Sequence, residues 1–376
     1  MNKLLDLDIL KKFKKIFSSN IQDFRIVGGA VRSYLLNNKI KDIDIATILN
    51  PDELLELAHK NNIKLYPTGL KYGTQTIIID NKKIEITSLR NDIKTDGRHA
   101  QVKYCKDWHE DSKRRDFTIN AIYMDFDGNI HDYQSSLKDI KDKIIRFIGE
   151  PEERIQEDYL RILRLFRFYA ELEGFSIDIK SEDAAKKFAN KISKLSKERI
   201  KDELEKLCIL VNYAAALTKL AKNNILSDIL DINPSTIDKL DKFKGQNNIS
   251  PGFIVILTNL IKEKQLLNLA LSNLELDNIK FLKEIKNVNF TSLTNIKKNL
   301  FIYGRKKSEL VFINEKFNKK EKLDPLILKK ISETKIPIFP ISGEDLKKEG
   351  FNEGRELGIE LDKRVKNWLD NDFKIK

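Results

Sequence analysis

The feature that most constrains the fold of this 376-residue chain is a change of character at Pro151. Before this residue, short β-branched runs alternate with helical segments and paired glycines. After it, to about residue 330, nearly every segment has helical apolar spacing with a lysine-rich outer face, and few strand candidates occur. The pattern predicts an α/β first part followed by an all-helical arm, and the length favours two or three domains.

The charge balance favours a polyanionic partner. Lys and Arg number 69 against 57 Asp and Glu, which leaves a formal net charge of +12. Two cysteines, Cys105 and Cys208, exclude a disulfide framework and a cysteine-rich zinc site. The first residues lack the apolar core of a signal peptide, and no apolar run approaches the roughly 20 residues that span a bilayer. We therefore expect a cytoplasmic protein.

The first part contains several short elements. Apolar and polar spacing predicts a strand over Phe24–Val27, a helix over Ala30–Leu36, a strand over Asp42–Ile48, a hairpin of Thr76–Asp80 with Lys83–Leu89, and a long loop over Asn91–Asp111. Beyond Pro151, the spacing of Leu160, Leu163, Phe166 and Tyr169 predicts one helix over Glu152–Glu173.

The segment VGGAVR at residues 27–32 is the first candidate site. Gly28 and Gly29 join the predicted strand to the predicted helix, where exposed backbone N–H groups let a polyphosphate approach closely, and Arg32 adds a fixed charge. Asp42 and Asp44 are two apart on the next strand, so they share a face about 6.6 Å apart along the chain. Such carboxylates can hold two Mg²⁺ ions. A lone DxD is more often an exposed strand face or a turn, but the preceding Gly-Gly-Arg turn favours the metal site.

Two further segments carry arginines. In RRDFTINA, at residues 114–121, the adjacent Arg114 and Arg115 can bind a triphosphate, and Asn120 can fix the sugar or a loop. Taken alone, this segment is also typical of a charged loop that enters a strand.

In EDYLRILRLFRF, at residues 157–168, Asp158 and Arg161 are i and i+3 on the predicted helix. The plain interpretation is a surface ion pair worth under about 1 kcal/mol. The functional interpretation is that the carboxylate accepts from an exocyclic amine while the guanidinium donates to a ring acceptor. Cytosine and adenine offer this pattern and uracil and guanine reverse it, so such a pair can select C and A without a nucleic-acid template.

Together, GGAVR…DIDIAT, RRDFTINA and EDYLRILRLFRF resemble the class II tRNA nucleotidyltransferase and bacterial poly(A) polymerase family, over about residues 25 to 205. The C-terminal ISGEDLKKEGFNEGRELGIEL is similar to the tail of CCA-adding enzymes. The resemblance implies an α+β fold in which a polymerase-β-like nucleotidyltransferase head with a mixed sheet precedes an all-helical neck, body and tail. The implied bounds are 1–147 for the catalytic head, 148–225 for the neck that recognises the base, and 226–376 for the body and tail that bind tRNA.

The resemblance also implies roles for individual residues. Asp42 and Asp44 would be catalytic and ligate Mg²⁺, and the nucleotide would be bound by Gly28, Gly29, Arg32, Arg115, Asn120, Asp158, Arg161, Arg164 and Arg167. Residues 89–102, with Asp96, Gly97 and Arg98, would form a flexible loop, and Ser196–Lys206 a helix supporting the neck through Glu198 and Arg199. Ser33 and Tyr72 replace the family's usual Asp and His, and Glu85 is either a third site carboxylate or an exposed hairpin residue.

The implied activity is untemplated addition of C, C and A from CTP and ATP to the 3′ end of tRNA. The implied partners are tRNA, CTP and ATP, with no membrane and no DNA. A poly(A) polymerase, or a partial enzyme that adds only CC or only A, remains the alternative. A catalytically silent RNA-binding module is less favoured, because backbone binding needs neither Asp42 nor Asp44.

Overall fold

The computed structural model describes residues 4–95, 100–227, 229 and 250–375. The chain divides into two compact units, Met1–Leu207 with Ala216–Ile229, and Cys208–Ala215 with Leu230–Lys376. The first unit contains a seven-stranded mixed sheet with helices, and the described part of the second is helical. The predicted α+β fold with a helical C-terminal region is confirmed.

Eleven strands occur in the described residues: β1 Phe24–Val27, β2 Asp44–Thr47, β3 Leu65–Gly69, β4 Thr74–Ile79, β5 Lys82–Ser88, β6 Arg90–Thr95, β7 Ala100–Tyr104, β8 Ile122–Met124, β9 Ile130–Asp132, β10 Ile144–Ile145 and β11 Ser176–Ile177. The main sheet has the order β3-β4-β5-β2-β1-β8-β9. Strands β2 and β5 are parallel, and the other neighbours are antiparallel. Strands β6 and β7 form a separate ribbon, and β10 pairs with β11.

The helices of the first unit are α1 Asp8–Ile16, α2 Gly29–Leu35, α3 Pro51–Lys60, α4 Trp108–Lys113, α5 Ser136–Asp142, α6 Pro151–Glu157, α7 Leu160–Glu171, α8 Ile179–Lys187, α9 Lys197–Cys208 and α10 Tyr213–Lys222, of which α9 and α10 extend into the second unit. The second contains α11 Phe253–Leu260, α12 Glu263–Leu266, α13 Asn273–Glu284, α14 Leu293–Lys319, α15 Pro325–Glu333, α16 Gly343–Lys348 and α17 Arg355–Asp370. Within the described ranges, no helix has the length and apolar character needed to cross a bilayer.

Strand β1 is buried on both faces of the sheet. On one face, the ring of Phe24 packs against Phe13 of α1, with the ring centroids 5.3 Å apart. On the other face, Val27 packs with Tyr123 of β8 and with Trp108 of α4. Because successive side chains of a strand point to opposite faces, this short strand anchors both layers, and its end carries the chain directly into Gly28.

The loop predicted over Asn91–Asp111 is wrong, because this stretch contains β6, β7 and the start of α4. Among the ribbon residues whose side chains are described, Arg90, Asn91 and Val102 are half-buried, and Lys103 and Tyr104 are exposed. Strand β6, with the sequence RNDIKT, shows no apolar alternation, and the alternation of β7, AQVKY, runs over only five residues, so neither strand is marked strongly in the sequence. Asp96, Gly97 and Arg98 of the predicted flexible loop lie outside the described residues.

The base of this ribbon fits closely against the main sheet. Gly73 has φ +69°, and a Cβ atom at this position would lie 2.8 Å from Cε1 of Tyr104. The main chain of Leu89 accepts a 3.0 Å hydrogen bond from the N–H of Cys105. The predicted hairpin beside it is confirmed, with positive φ at Asp80 and Asn81, as a two-residue hairpin turn requires.

The single helix predicted over Glu152–Glu173 is also wrong, because it is interrupted at Asp158. This residue has extended backbone angles, φ −156° and ψ 107°, and separates α6 from α7. Its carboxylate accepts a 3.1 Å hydrogen bond from the N–H of Leu160. Short acidic side chains stabilise such helix starts by bonding free N–H groups, and neither proline nor glycine is needed.

A buried carboxylate lies beneath the arginine pair. Asp111 is fully buried and accepts hydrogen bonds from Nε of Arg114 at 2.7 Å, Nη2 of Arg115 at 3.1 Å and the hydroxyl of Tyr123 at 2.8 Å. Burial alone would raise the pKa of Asp111, but the charges of Arg115 and Arg114 and the Tyr123 hydroxyl outweigh it and lower the pKa to about 2. Asp111 therefore fixes both arginines from within the core.

We expect Asp111→Asn to destabilise the protein at pH 7 by about 3–5 kcal/mol, because it leaves buried guanidinium charge unpaired. A carboxyl whose pKa is depressed on folding stabilises the protein above its unfolded pKa near 4 and loses that contribution as pH falls towards 2. The wild type should therefore lose on the order of 2 kcal/mol more than the variant over this interval.

Urea unfolding of both proteins between pH 7 and 2 measures this difference. Asp127→Asn, at an exposed carboxylate, is the control. Parallel pH curves for the wild type and Asp111→Asn would contradict the assignment.

Candidate functional site

A cavity of about 500 Å³ lies in the first unit, where the sheet meets helices α6 and α7. It is lined by Gly28, Gly29, Arg32, Asp44, Arg90, Arg114, Arg115, Asp116, Asn120, Asp158, Arg161, Arg164, Arg167, Phe168 and Glu171. All nine residues predicted to bind nucleotide line it, together with Asp44, although the three sequence segments are far apart in the chain. Asp42 is not among the lining residues.

The glycine turn brings β1 and α2 to the floor of the cavity. Gly28 has φ +69°, a conformation that only glycine adopts readily, and the N–H of Arg32 closes the first turn on the Gly28 carbonyl at 3.0 Å. Arg32 itself is only 4% exposed. Its guanidinium donates to Glu171 at 2.8 Å and to the Asn120 side chain, and it lies over the ring of Phe168. Arg32 is therefore held rigidly at the cavity wall.

Acidic side chains meet at one side of the cavity. Strand β2 begins at Asp44, so the prediction that Asp42 lies within this strand is wrong, although its charge acts on Asp44. Asp44 is in register with Val27 of β1 and with Glu85 of β5. The pKa of Asp44 is raised to about 6, mainly because the surrounding protein reduces its hydration. The charges of Glu85 and Asp42 also raise this pKa, and the charge of Arg115 lowers it. Glu85 and Asp42 therefore lie close enough to Asp44 for their charges to act on it.

The arginines on the other side are paired with carboxylates. Arg164 donates to Asp116 at 2.5 Å and 3.0 Å, and Arg167 donates to Glu203 of α9 at 2.7 Å. Burial would raise the pKa of Asp116, but the Arg164 guanidinium and the hydrogen bonds around the carboxylate lower it. The lining contains seven arginines and four carboxylates, so the cavity keeps an excess of positive charge.

Asp158 and Arg161 line the cavity but do not pair with each other. Because α6 ends before Asp158, the predicted i, i+3 geometry is wrong. Arg161 donates to Glu157 at 2.5 Å, and Asp158 accepts from Arg199 of α9 at 2.7 Å. The helix predicted over Ser196–Lys206 is present as α9, and through Arg199 and Glu203 it supports two of the cavity residues.

Four cavity or supporting carboxylates were missed from the sequence: Asp111, Asp116, Glu171 and Glu203. Asp116 lies inside RRDFTINA, between the arginine pair and Asn120, and a count of charges would have indicated that two adjacent arginines need a partner. Glu203 lies in the predicted supporting helix. Glu171, at the end of α7, has no local signal because its partner Arg32 is 139 positions away in sequence.

The comparisons with known proteins cover this whole region. The model of the Poly A polymerase head domain matches residues 24–146, and the model described as a probable RNA and SrmB- binding site of polymerase A matches residues 174–237. The human mitochondrial CCA tRNA nucleotidyltransferase 1 is 32% identical over 97% of this chain and 87% of its own length. A CCA-adding enzyme from Lactobacillus johnsonii is 40% identical over 49% of this chain and 45% of its own length.

Solved structures agree with this assignment. The crystal structure of the Bacillus stearothermophilus CCA-adding enzyme in complex with CTP superimposes with a TM-score of 0.79 at 25% identity, over 98% of this chain and 95% of the other. Sequence motifs, fold and full-length similarity point to one group: the chain belongs to the family of CCA-adding tRNA nucleotidyltransferases and bacterial poly(A) polymerases.

Proposed function

We propose that this protein adds C, C and A to the 3′ end of tRNA, taking CTP and ATP as substrates and using no nucleic-acid template. The observation that carries the proposal is the cavity that brings together the glycine turn, Asp44, an arginine pair and an arginine-rich helix. The similarity to the human CCA tRNA nucleotidyltransferase 1, which extends over 97% of this chain, supports tRNA as the acceptor.

The carboxylate cluster suits a divalent metal, and we assign Asp42 and Asp44 as its ligands. The charges of Glu85 and Asp42 help to raise the pKa of Asp44, and a bound cation would stabilise the charged form of this carboxylate. Among the described residues, no group of three or more His, Cys, Asp or Glu side chains is arranged to enclose a metal. Two protein carboxylates with water and phosphate oxygens form the usual Mg²⁺ environment, so Mg²⁺ is the proposed ion. When bound, it would stabilise the charge that develops on the transferred phosphoryl group.

The protein's own groups orient the nucleotide. The N–H groups after Gly28 and Gly29 and the guanidinium of Arg115 are placed for phosphate oxygens, and Asn120 and Arg32 border the same space. Asp158 and Arg161 lie on the neck side and are assigned to the base, with Arg164 and Arg167 beside them. Asp158 is held by Arg199, and Arg161 is held by Glu157. The base would therefore be recognised by side chains whose positions are already fixed.

The remainder of the chain is assigned to the RNA. We propose that residues 1–147 form the catalytic head, 148–225 the neck and 226–376 the body and tail, which hold tRNA by its backbone and shape.

A poly(A) polymerase or a CC- or A-adding enzyme is distinguished by the length and composition of the product on tRNA lacking its 3′ end. The cytoplasmic location stays a prediction, and the human relative is named as mitochondrial.

Substituting the proposed metal ligands tests catalysis separately from RNA binding. Asp44→Ala or Asp42→Ala should reduce nucleotide addition to background while tRNA affinity changes less than about twofold, because these carboxylates act on the triphosphate. Incorporation of labelled nucleotide and filter binding of tRNA measure the two quantities. Asp127→Ala should retain full activity as the control. Near wild-type turnover by either variant in Mg²⁺ would remove the metal assignment.

Base selection is tested by misincorporation. Asp158→Ala removes the acceptor for the exocyclic amine, so CTP and ATP should lose roughly 1–3 kcal/mol of advantage over UTP and GTP. Arg161→Ala should act similarly and also slow catalysis, because a misplaced base misaligns the α-phosphate. Arg32→Ala is the matched comparison and should weaken all four nucleotides about equally.

The measurement is kcat/KM for each of the four nucleotides with each variant. If Asp158→Ala discriminates as well as the wild type, base choice does not come from this residue.

A further inference from the structure

Arg154 joins the two ends of the cavity without lining it. It lies on α6, and its side chain is only 11% exposed. Nη2 donates to the main-chain carbonyl of Arg114 at 2.6 Å and to that of Arg115 at 2.8 Å. Nη1 donates to Glu157 at 2.7 Å. One guanidinium thus contacts the backbone of the arginine pair and the carboxylate that holds Arg161.

Two hydrogen bonds connect Arg161 to Arg154, one directly and one through Glu157. Arg161 donates to Glu157 at 2.5 Å, and it also donates to the main-chain carbonyl of Arg154 at 2.8 Å. Arg161 is therefore located by the backbone of Arg154 and by the carboxylate that Arg154 orients. The two carbonyls that Arg154 bonds follow the C-terminus of α4, where carbonyl groups lack helical partners and favour a cation.

The buried position of Arg154 is energetically unfavourable for its guanidinium group. Its Nε is buried and has no hydrogen-bond partner, and burial together with the nearby charge of Arg161 lowers the pKa of the guanidinium. A buried unsatisfied donor requires an explanation. The geometry supplies one, because a planar fork can bond two consecutive carbonyls and a carboxylate at once, whereas a lysine ammonium cannot reproduce this arrangement.

We propose that Arg154 is a positioning residue that sets the spacing between the arginine pair and Arg161, so that the phosphate and base ends of one nucleotide bind cooperatively. This rests on the proposed function, which assigns Arg115 to phosphate and Arg161 to the base. A ligand that spans both ends depends on the spacing. A ligand that reaches only one end does not.

The test compares three ligands with purified full-length protein in Mg²⁺: CTP spans both ends, CMP occupies the base end, and inorganic triphosphate occupies the phosphate end. Arg154→Met should weaken CTP about tenfold more than the product of its effects on CMP and triphosphate, a typical size for coupling between sites. Titration calorimetry measures the three affinities, and tRNA affinity should be unchanged. A CTP loss no larger than that product overturns the proposal.

Two further variants separate geometry from charge and from general loosening of α6. Arg154→Lys keeps the charge but not the fork, and it should lose most of the same coupling; full recovery by lysine contradicts the proposal. If Arg154→Met does not fold, Arg154→Lys takes its place in the comparison of the three ligands. Lys187→Met removes an ion pair of 2.6 Å with Glu152 of the same helix and should leave all three affinities unchanged.

Arg115→Gln distinguishes failure of this inference from failure of the proposed function. If Arg115→Gln weakens CTP and Arg154→Met does not alter the coupling, only the positioning role of Arg154 is wrong. If Arg115→Gln leaves both CTP and triphosphate affinity unchanged, the phosphate assignment itself is wrong, and the inference falls with it.

Discussion

At least six of the seven arginines that line the cavity are paired with carboxylates, which offset the repulsion among their charges. Arg164 is paired with Asp116, Arg167 with Glu203, Arg32 with Glu171, and the Arg114–Arg115 pair with Asp111. Each pair is wholly or partly removed from water. A charge in such a position is costly unless it is paired. The sheet, the α6–α7 break and the supporting helix α9 can all be understood as the framework that brings these partners together.

The pairing also fixes side chains that would otherwise sample many rotamers. A long arginine side chain loses up to about 2 kcal/mol of conformational free energy when it is ordered. Here Asp111 holds Arg115 by its Nε–Nη2 edge, and Asp116 holds Arg164 in the same manner. Much of that ordering occurs on folding, before a ligand arrives, which is the condition for a preorganised site.

The sequence was sufficient for the fold class, for most of the residues that line the cavity and for the helix that supports them, because these depend on local patterns and on three distinctive motifs. It was insufficient where the determining contact is distant or absent. In the β6–β7 ribbon, β6 has no apolar alternation and that of β7 runs over only five residues, which is too short to distinguish a strand from a loop. The break at Asp158 depends on a carboxylate that bonds Leu160 and Arg199, and a helical apolar pattern continues across it. Glu171 is recognisable only once α7 is placed against α2.

The contacts across residue 147 bear on how this protein can be divided. Phe117 of the sheet layer packs against Phe147 and, with a centroid distance of 5.3 Å, against Phe168 of α7. Strand β10 pairs with β11, which lies beyond the first 147 residues. A chain cut at this point would keep every strand of the main sheet, yet it would expose the ring of Phe117 and remove the charged partners of Arg32 and Asp116. The smallest fragment that retains all of these contacts therefore extends through α9, and the sheet cannot be separated from α7 and α9 without loss of the cavity.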